Sequence, residues 1–479
     1  MPHYIEDYDG LYFVASLERY SVLELRPHFP GYPIFVWLGY VFNFFTRDAA
    51  LAFHLISSLA STLTALPIAA LAASWSRLTG NTDSQTRGIG VLAAVLWWLI
   101  PSSWIDGTEI YADPLATTLC LTMLWFAWQG ASQKTATRAL IIAAVMAGMM
   151  LGVRSQYLGF IPVLLLAYFW RRKIQPLERG YIFWVALLTP ILIWFGWQLY
   201  MDGIGFFQAA SSTAVGHYSN WGVSVATDPQ PLTRPLRIVE TISVLGLGGW
   251  WWGEPWTRAI ISLLFLVFLG LGLRRLHQTR VFIFSIVFAV LHLLWWLSSL
   301  DPVAARYGLP ILAWVCVVTA LGVAQLASQR QWLIVPVLLG LLGWVSLPLA
   351  KEHQNSLPLE LQLANYFQDR PNLEDIILFQ PEPVIQLRMA LPELKLESLP
   401  MTSVGANRTD LTAFERQIYG SNLRLEPFQA SYWWQPVKRF CRSKYFRLRS
   451  QDVLEIALYK YQPSKSRAGI ANPKIQSCP

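Results

Sequence analysis

Residues 281–299 read VFIFSIVFAVLHLLWWLSS, and this apolar stretch contains no charged side chain. About 20 such residues are enough for a helix to cross the ~30 Å hydrocarbon core of a bilayer. Reading outward in both directions, comparable runs lie near 48–76, 88–104, 110–129, 138–153, 157–170, 181–200, 257–273, 309–327 and 332–350. The sequence therefore predicts an all-α polytopic membrane protein with about ten or eleven transmembrane helices. The eleventh would be 238–252, which fits an interfacial segment equally well.

The composition excludes the other large classes of protein. Hydrophobic residues make up 54% of the 479 residues and charged residues only 14%, about half of the ~25% usual in soluble proteins. A soluble enzyme, a nucleic-acid-binding protein and a disordered chain are therefore excluded, and membrane lipids are expected partners. The four cysteines lie far apart without a CxxC pair, which argues against a disulfide framework and a zinc site.

The charges of the loops predict the orientation of the chain. Counted on alternate loops, one side is basic, with Arg77, Arg87, Lys134, Arg138, Arg171, Arg172, Lys173, Arg179, Arg274, Arg275, Arg280 and Arg330. The other side is acidic, with Asp106, Glu109, Asp113, Asp202, Asp228, Glu240, Glu254 and Asp301. By the positive-inside rule the basic side is cytoplasmic. The N-terminal segment, the 201–256 loop and the C-terminal tail then share the extracytoplasmic side.

The sequence divides into two predicted domains. Residues 1–350 form a membrane module that opens with an outer loop, 1–47, and residues 351–479 form a small extracytoplasmic α/β domain. In that second domain the pattern predicts helices at 360–369 and 383–391, strands at 375–379 and 453–461, and a loose tail from Gln462.

Acidic residues mark the start of the chain. Asp7 and Asp9 are spaced i, i+2 ahead of a short amphipathic segment at the predicted membrane–water boundary. Such a pair can hold a divalent cation, Mg²⁺ or Mn²⁺, because hard cations prefer carboxylate oxygens. One of the two can instead serve as a general base towards a hydroxyl group. A solvated acidic terminus explains the same pattern without any site.

A second acidic group occurs in WIDGTEIYADP, at the outer entrance of a span. Glu109 and Asp113 are spaced i, i+4, so we expect them on one face of the first helical turn. Ionisable residues at a helix mouth are costly unless they face a cavity or a partner. Acids that complement the helix dipole are the alternative.

Two arginines lie on the side where the positive-inside rule disfavours them. Arg154 follows a span in LGVRSQYLGF, and Arg306 precedes one in ARYGLP. A phosphate or pyrophosphate group would compensate their charge, because a guanidinium binds phosphate in a bidentate manner. A salt bridge to an outer carboxylate such as Asp301 would do the same.

These motifs resemble the GT-C glycosyltransferases. An acidic pair is followed by RPHFPGYP (26–33), which is similar to the HPPGYP-type signature of protein O-mannosyltransferases and the lipid A aminoarabinose transferase. TEIYADP, LGVRSQYLGF and ARYGLP then follow in the same order, so the resemblance covers most of residues 5–350. The first loop is its most specific part, although Phe29 stands where many relatives have Pro.

The resemblance implies an enzyme that takes a hexose or pentose from a polyprenyl-phosphate donor. The sugar would pass, with inversion, to a glycan, lipid or protein acceptor on the outer face of the membrane. The short loops indicate a bacterial inner or plasma membrane. Asp9 would correspond to the general base, with Asp7 beside it. Arg154 or Arg306 would stabilise the departing phosphate. Beyond a possible cation, the resemblance implies no cofactor.

The resemblance also assigns supporting residues. Glu109 and Asp113 would line the cavity, orienting sugar hydroxyls or holding a cation. His28 and Tyr32 of the RPHFPGYP motif would contact donor or acceptor, and a packing role for His28 is the alternative.

One departure from the family concerns the start of the chain. The family places a transmembrane helix before the acidic loop, whereas six residues precede Asp7 here, so we expect a truncated start. Other functions stay open: a non-catalytic relative that binds lipid-linked glycan, a transporter or flippase for such glycans, and an oligosaccharide polymerase or ligase. A transporter predicts functional charges deep within the spans, whereas the carboxylates here collect at one face.

Overall fold

A computed structural model describes two compact units of this chain, residues 1–354 and 355–479. Within them the described residues are 4–5, 8–132, 137–174, 180–220, 223–326, 328–370, 372–373, 376–380, 385–398, 417–421, 434–441 and 455–461.

The first unit is helical. Its first ten α-helices are α1 (Tyr8–Ser16), α2 (Pro33–Thr46), α3 (Ala49–Leu63), α4 (Ala65–Arg77), α5 (Asp83–Leu99), α6 (Pro101–Thr108), α7 (Asp113–Ser132), α8 (Thr137–Val153), α9 (Ile161–Ile174) and α10 (Tyr181–Asp202). The remaining ones are α11 (Gly205–Val215), α12 (Arg234–Glu240), α13 (Ala259–His277), α14 (Val281–Ser299), α15 (Leu309–Val323) and α16 (Ser328–Asn355). Short 3₁₀ turns at Ser155–Phe160 and Ala305–Gly308 join α8 to α9 and α14 to α15.

The predicted apolar runs all form helices, and the all-α polytopic fold is confirmed. By length and hydropathy, six described helical segments can cross a membrane, or seven if α5 and α6 form one bent span. This number is lower than the predicted ten or eleven because several helices of the bundle are short. With 17 and 14 residues, α8 and α9 are shorter than the ~20 residues of a perpendicular span. No candidate span among the described helices includes 238–252, where α12 ends and a π-helical turn, Thr241–Gly246, follows.

The centre of the first unit is α15. All of its residues are buried, and it packs against α4, α5, α7, α13 and α14. A helix that is apolar on every side fits only a position surrounded by other helices. Because α15 begins directly after Ala305–Gly308, its central position brings Arg306 to one end of the bundle.

The predicted span at 88–104 is interrupted. The chain bends by 60° between α5 and α6, and Ile100 has an extended conformation. Pro101 explains the break, because proline lacks an N–H donor and disfavours a helical conformation in the preceding residue. Helix α6 therefore continues at an angle to α5 and carries the acidic segment away from the direction of the span.

Three of the loops that were predicted to be basic lie close together in the first unit. Arg275 donates a hydrogen bond to the carbonyl of Thr79, and a cavity of about 310 Å³ is lined by residues of this end, including Leu78, Trp170 and Arg280. These contacts bring together the ends of α4, α9 and α13, which border three of the loops that were predicted to be basic.

The second unit contains a small mixed sheet. Its helices are α17 (Leu359–Gln368) and α18 (Ile385–Ala390), and its strands are β1 (Ile376–Gln380), β2 (Lys395–Ser398), β3 (Gln417–Ser421), β4 (Trp434–Cys441) and β5 (Glu455–Tyr461). The strand order is β2-β1-β3-β5-β4, with β1 parallel to both β2 and β3 and with β5 antiparallel to β3 and β4. Leu363, Phe367, Ile376 and Leu458 contribute to its core. The predicted α/β fold and both predicted strands are confirmed, whereas the loose tail from Gln462 lies outside the described residues.

Candidate active site

Asp9 and Arg306 form an ion pair at one end of the helical bundle. Asp9 lies in the first turn of α1, and its Oδ2 is 2.9 Å from Nη2 of Arg306. The side chain of Asp9 is 23% exposed and that of Arg306 is 12% exposed. A carboxylate and a guanidinium that meet in this way leave both groups within reach of a bound molecule.

A second arginine joins this pair through an aromatic ring. The guanidinium of Arg306 lies 5.2 Å from the ring centroid of Tyr307, and that of Arg154 lies 5.1 Å from the same centroid. Arg306 also lies 4.4 Å from the ring centroid of Tyr111. Because aromatic faces attract cations, Tyr307 and Tyr111 help to hold two positive charges in one small region.

The charge of Arg154 is balanced by Asp113. Nη1 of Arg154 donates to Oδ2 of Asp113 at 2.8 Å, and Nε donates to Gln156 at 2.9 Å. The side chains of this pair are 4% and 0% exposed. Both arginines thus have carboxylate partners, which were the alternative to phosphate: Asp9 for Arg306 and Asp113 for Arg154. Of the two, Arg306 is the one that a ligand can reach.

His28 and Tyr32 extend the site along the RPHFPGYP loop. Nε2 of His28 and the Tyr32 hydroxyl are hydrogen-bonded at 2.7 Å, and Nδ1 of His28 lies 3.8 Å from Oδ1 of Asp9. Burial raises the pKa of the Tyr32 hydroxyl well above its usual value, against the opposing effect of Arg154. The hydroxyl therefore stays protonated near neutral pH and can donate to His28, whose Nδ1 then carries the proton that faces Asp9.

Helix α10 holds the loop in place. The amide of Gln198 donates to the Tyr20 hydroxyl at 3.0 Å and to the carbonyl of Pro30 at 2.5 Å. Asp202 accepts hydrogen bonds from the Ser21 hydroxyl and from the backbone N–H of Val22. These contacts fix both arms of the loop that carries His28 and Tyr32.

Gly31 is required where the loop approaches α10. It has φ of +93°, and a Cβ atom there would collide with the Tyr20 hydroxyl and the Gln198 amide. We expect Gly31→Ala to lower the free energy of unfolding by about 2 kcal/mol, because a positive φ alone costs about 1–2 kcal/mol in a residue with a Cβ atom. Thermal unfolding of the detergent-solubilised protein measures this loss.

The matched control is Gly80→Ala, since Gly80 also has a positive φ, +80°, but nothing lies within 4 Å of its Cβ position. Equal losses in the free energy of unfolding of the two variants would show that the close approach of Tyr20 and Gln198 adds nothing to the cost of Gly31→Ala.

The buried Arg154–Asp113 pair leads to a second prediction. Asp113→Leu leaves the Arg154 guanidinium buried without its carboxylate, and we expect a loss of about 3–5 kcal/mol in the free energy of unfolding. The double variant Asp113→Leu/Arg154→Met should recover most of this loss, because it removes both charges. Thermal unfolding of the wild type and these two variants tests this, and a double variant no more stable than Asp113→Leu would contradict it.

Glu109 lies in a different environment from the one predicted. It follows the last residue of α6 in an extended conformation, whereas Asp113 begins α7. The prediction that the two share one helical turn is therefore wrong. Pro114 suits the first turn of a helix, so α7 starts at this point and residues 109–112 form a connection.

The buried carboxylate of Glu109 has a partner on the last helix of the unit. Its Oε1 lies 3.0 Å from Nε2 of His353 in α16, and Tyr4 donates a hydrogen bond to the carbonyl of His353. Asp106, also buried, accepts a hydrogen bond from Ser102. Glu109 thus links α16 to the end of α6, whereas Asp113 pairs with Arg154.

The predicted cation site at Asp7 and Asp9 is described only in part. Among the described residues, no three His, Cys, Asp or Glu side chains are grouped so as to hold a metal ion. Both oxygens of Asp9 face basic groups, Arg306 and His28, which a cation would have to displace. Asp7, the other predicted ligand, lies outside the described residues.

Several residues of this site carry no signal in the sequence that marks them as functional. Tyr307 and Tyr111 lie within the quoted motifs ARYGLP and TEIYADP, next to residues that were chosen for their charge. Gln198 and His353 lie in apolar helices without any local signal, because their roles depend on distant parts of the chain.

Comparisons with known proteins agree with this architecture. Residues 20–177 match the model of one protein family, the N-terminal domain of the protein O-mannosyl-transferase TMEM260. No curated protein shows significant similarity in sequence. ArnT from Cupriavidus metallidurans bound to undecaprenyl phosphate superposes with a TM-score of 0.55 over 98% of this chain and 96% of that chain, at 11% identity. The apo state of the same protein superposes with a TM-score of 0.51 over 97% and 95%, at 13% identity.

At this level of identity the structural likeness shows the fold alone. The chain has the GT-C fold, and the resemblance that was read from its motifs is confirmed. It is an integral membrane protein with several spans.

Proposed function

We propose that this GT-C membrane protein transfers a glycosyl group, a hexose or pentose, from a polyprenyl-phosphate-linked sugar to an acceptor on the extracytoplasmic face. The family model describes an O-mannosyl-transferase domain, and ArnT, which shares the fold, has been crystallised with undecaprenyl phosphate. The observation that carries the proposal is the ion pair between Asp9 and Arg306, which places a carboxylate beside an accessible guanidinium.

The proposed reaction is a single displacement with inversion at the anomeric carbon. The acceptor oxygen forms a bond to the anomeric carbon while the bond from that carbon to the phosphate oxygen breaks. Asp9 takes the proton of the acceptor hydroxyl as general base, and the electron pair of the broken bond leaves with polyprenyl phosphate.

Arg306 and Arg154 have different roles in this proposal. Arg306 exchanges its contact with Asp9 for the phosphate of the donor, which both stabilises the leaving group and frees Asp9 for the acceptor. Arg154 stays with Asp113 and keeps Tyr307 and the local positive potential in place. No step requires a metal ion.

The loops that carry these residues are proposed to face the outside of a bacterial inner or plasma membrane. The support is the concentration of Arg and Lys on the opposite set of loops, three of which lie close together.

A donor panel tests the proposed activity. Membrane vesicles that contain the protein receive radiolabelled hexoses and pentoses on polyprenyl phosphate, and label is counted in glycan, lipid and protein fractions. We expect transfer from one donor above the level in vesicles without the protein. Label that crosses the bilayer on its lipid carrier, without transfer from any donor, would identify a transporter instead. Donor binding with neither transfer nor translocation would identify a non-catalytic relative.

A further inference from the structure

A cavity of about 620 Å³ lies beside the arginine site within the first unit. Its walls come from α3, α5, α6 and the end of α16, and they include Ser58, Trp98, Trp104, Thr108 and Lys351. Its volume falls within the ~300–1,000 Å³ that is usual for pockets that bind small ligands. None of the residues proposed above to take part in the reaction lines it.

The two indole rings of the cavity are held by their own N–H groups. Trp98 donates to the carbonyl of Thr62 at 3.2 Å, and Trp104 donates to the carbonyl of Trp98. Both side chains remain partly exposed. Fixed rings with exposed surface offer flat apolar contact at a small cost in entropy, which suits the C–H faces of a sugar ring.

Hydroxyl groups provide the polar part of the lining. Ser61 donates to the carbonyl of Ser103 at 2.9 Å, and Thr108 donates to that of Trp104 at 2.7 Å, so both hydroxyl oxygens keep lone pairs as acceptors. The buried Oγ of Ser58 makes no hydrogen bond within the described part of the chain. Lys351 adds a donor at the end of α16. A lipid acyl chain would leave the Ser58 hydroxyl and the Lys351 ammonium without partners, whereas a sugar can bind both.

Helix α6 separates this cavity from the arginine site. Ser103, Trp104 and Thr108 line the cavity, and α6 also packs against the Ala305–Gly308 turn that carries Arg306. Both sites therefore adjoin α6. A molecule that extends past α6 can occupy both.

We infer that the cavity binds a sugar unit of the acceptor, so that the acceptor is a glycan that extends beyond its reacting hydroxyl. The inference rests on the proposed function in one respect, that the bound saccharide is part of the acceptor. The binding of saccharide in the cavity does not depend on transfer. Binding energy from such a remote unit would help to position the reacting hydroxyl near Asp9.

Saturation-transfer NMR tests the inference with the purified full chain in detergent. The probes are methyl pyranosides of common hexoses and pentoses, and linear disaccharides of the same sugars. We expect at least one saccharide to bind in the wild type and in Asp9→Asn. Trp104→Ala should raise the Kd for that saccharide about tenfold, because the aromatic contact is lost. Trp344→Ala is the control, since Trp344 is an exposed indole on α16 that does not line the cavity.

A second variant, Ser58→Leu, fills the cavity while both indoles stay, and it should also weaken saccharide binding. This pair of variants keeps the test valid if Trp104→Ala does not fold. The absence of saccharide binding to the wild type would overturn the inference, as would unchanged Kd values in the folded variants. A tightly bound lipid that Ser58→Leu displaces would overturn it as well. Saccharide binding without transfer from any donor would count against the proposed function and not against the cavity.

Discussion

Replacing Arg306 with glutamine is expected to lower kcat for glycosyl transfer by about 10²- to 10³-fold, the loss typical when one donor to a developing anion is removed. Arg306 is the accessible cation next to Asp9, and a neutral amide cannot balance the charge of departing polyprenyl phosphate. The KM for the donor should rise as well, because the donor carries a phosphate charge before the reaction begins. Initial rates over a range of donor concentrations separate the two effects.

The control for this variant is Arg19→Gln. Arg19 forms an ion pair with Glu24 at 3.1 Å on the same N-terminal segment, but its side chain is 68% exposed, and such pairs contribute little. Arg306→Lys should keep part of the activity, since it restores the charge without the bidentate geometry. Wild-type kinetics in Arg306→Gln would contradict the proposed role and would leave Arg154 as the residue that binds phosphate.

Asp9→Asn is expected to lower kcat by about 10²- to 10⁴-fold, which is the usual contribution of a general base. Asparagine has nearly the same shape, and its carbonyl can still accept a hydrogen bond from Arg306. It cannot take a proton from the acceptor hydroxyl, so chemistry should be lost while the KM for the donor changes little. The same initial-rate measurement gives both quantities.

Glu24→Gln serves as the matched control, because it removes a carboxylate that is paired with an arginine but lies in an exposed pair. Asp9→Glu should retain a measurable rate, since it keeps a carboxylate at a shifted position. A rise in donor KM with unchanged kcat in Asp9→Asn would mean that Asp9 only helps to bind the donor.

Much of the architecture can be read from the sequence because hydrophobic runs are local signals. The helices α10, α13 and α14 lie close to the runs that predict them. Charge alternation between loops also places Asp113, Arg154 and Arg306 on one side, and the structure brings these three together.

The pairing of the charged residues could not be predicted. Asp9 and Arg306 are distant in sequence, and their contact depends on the packing of α15 within the bundle. The separation of Glu109 from Asp113 depends on where α6 ends and α7 begins, which the i, i+4 spacing alone does not reveal. The break at Pro101 could have been expected from the proline itself.

The most direct test of the role of Asp9 is single-turnover transfer with donor and acceptor both saturating. Wild type and Asp9→Asn are compared, and the anomeric configuration of the product is determined by NMR. We predict an inverted product in the wild type and a rate at least about 100-fold lower in Asp9→Asn, with donor binding preserved. A rate in Asp9→Asn equal to that of the wild type, or a product of retained configuration, would contradict the account.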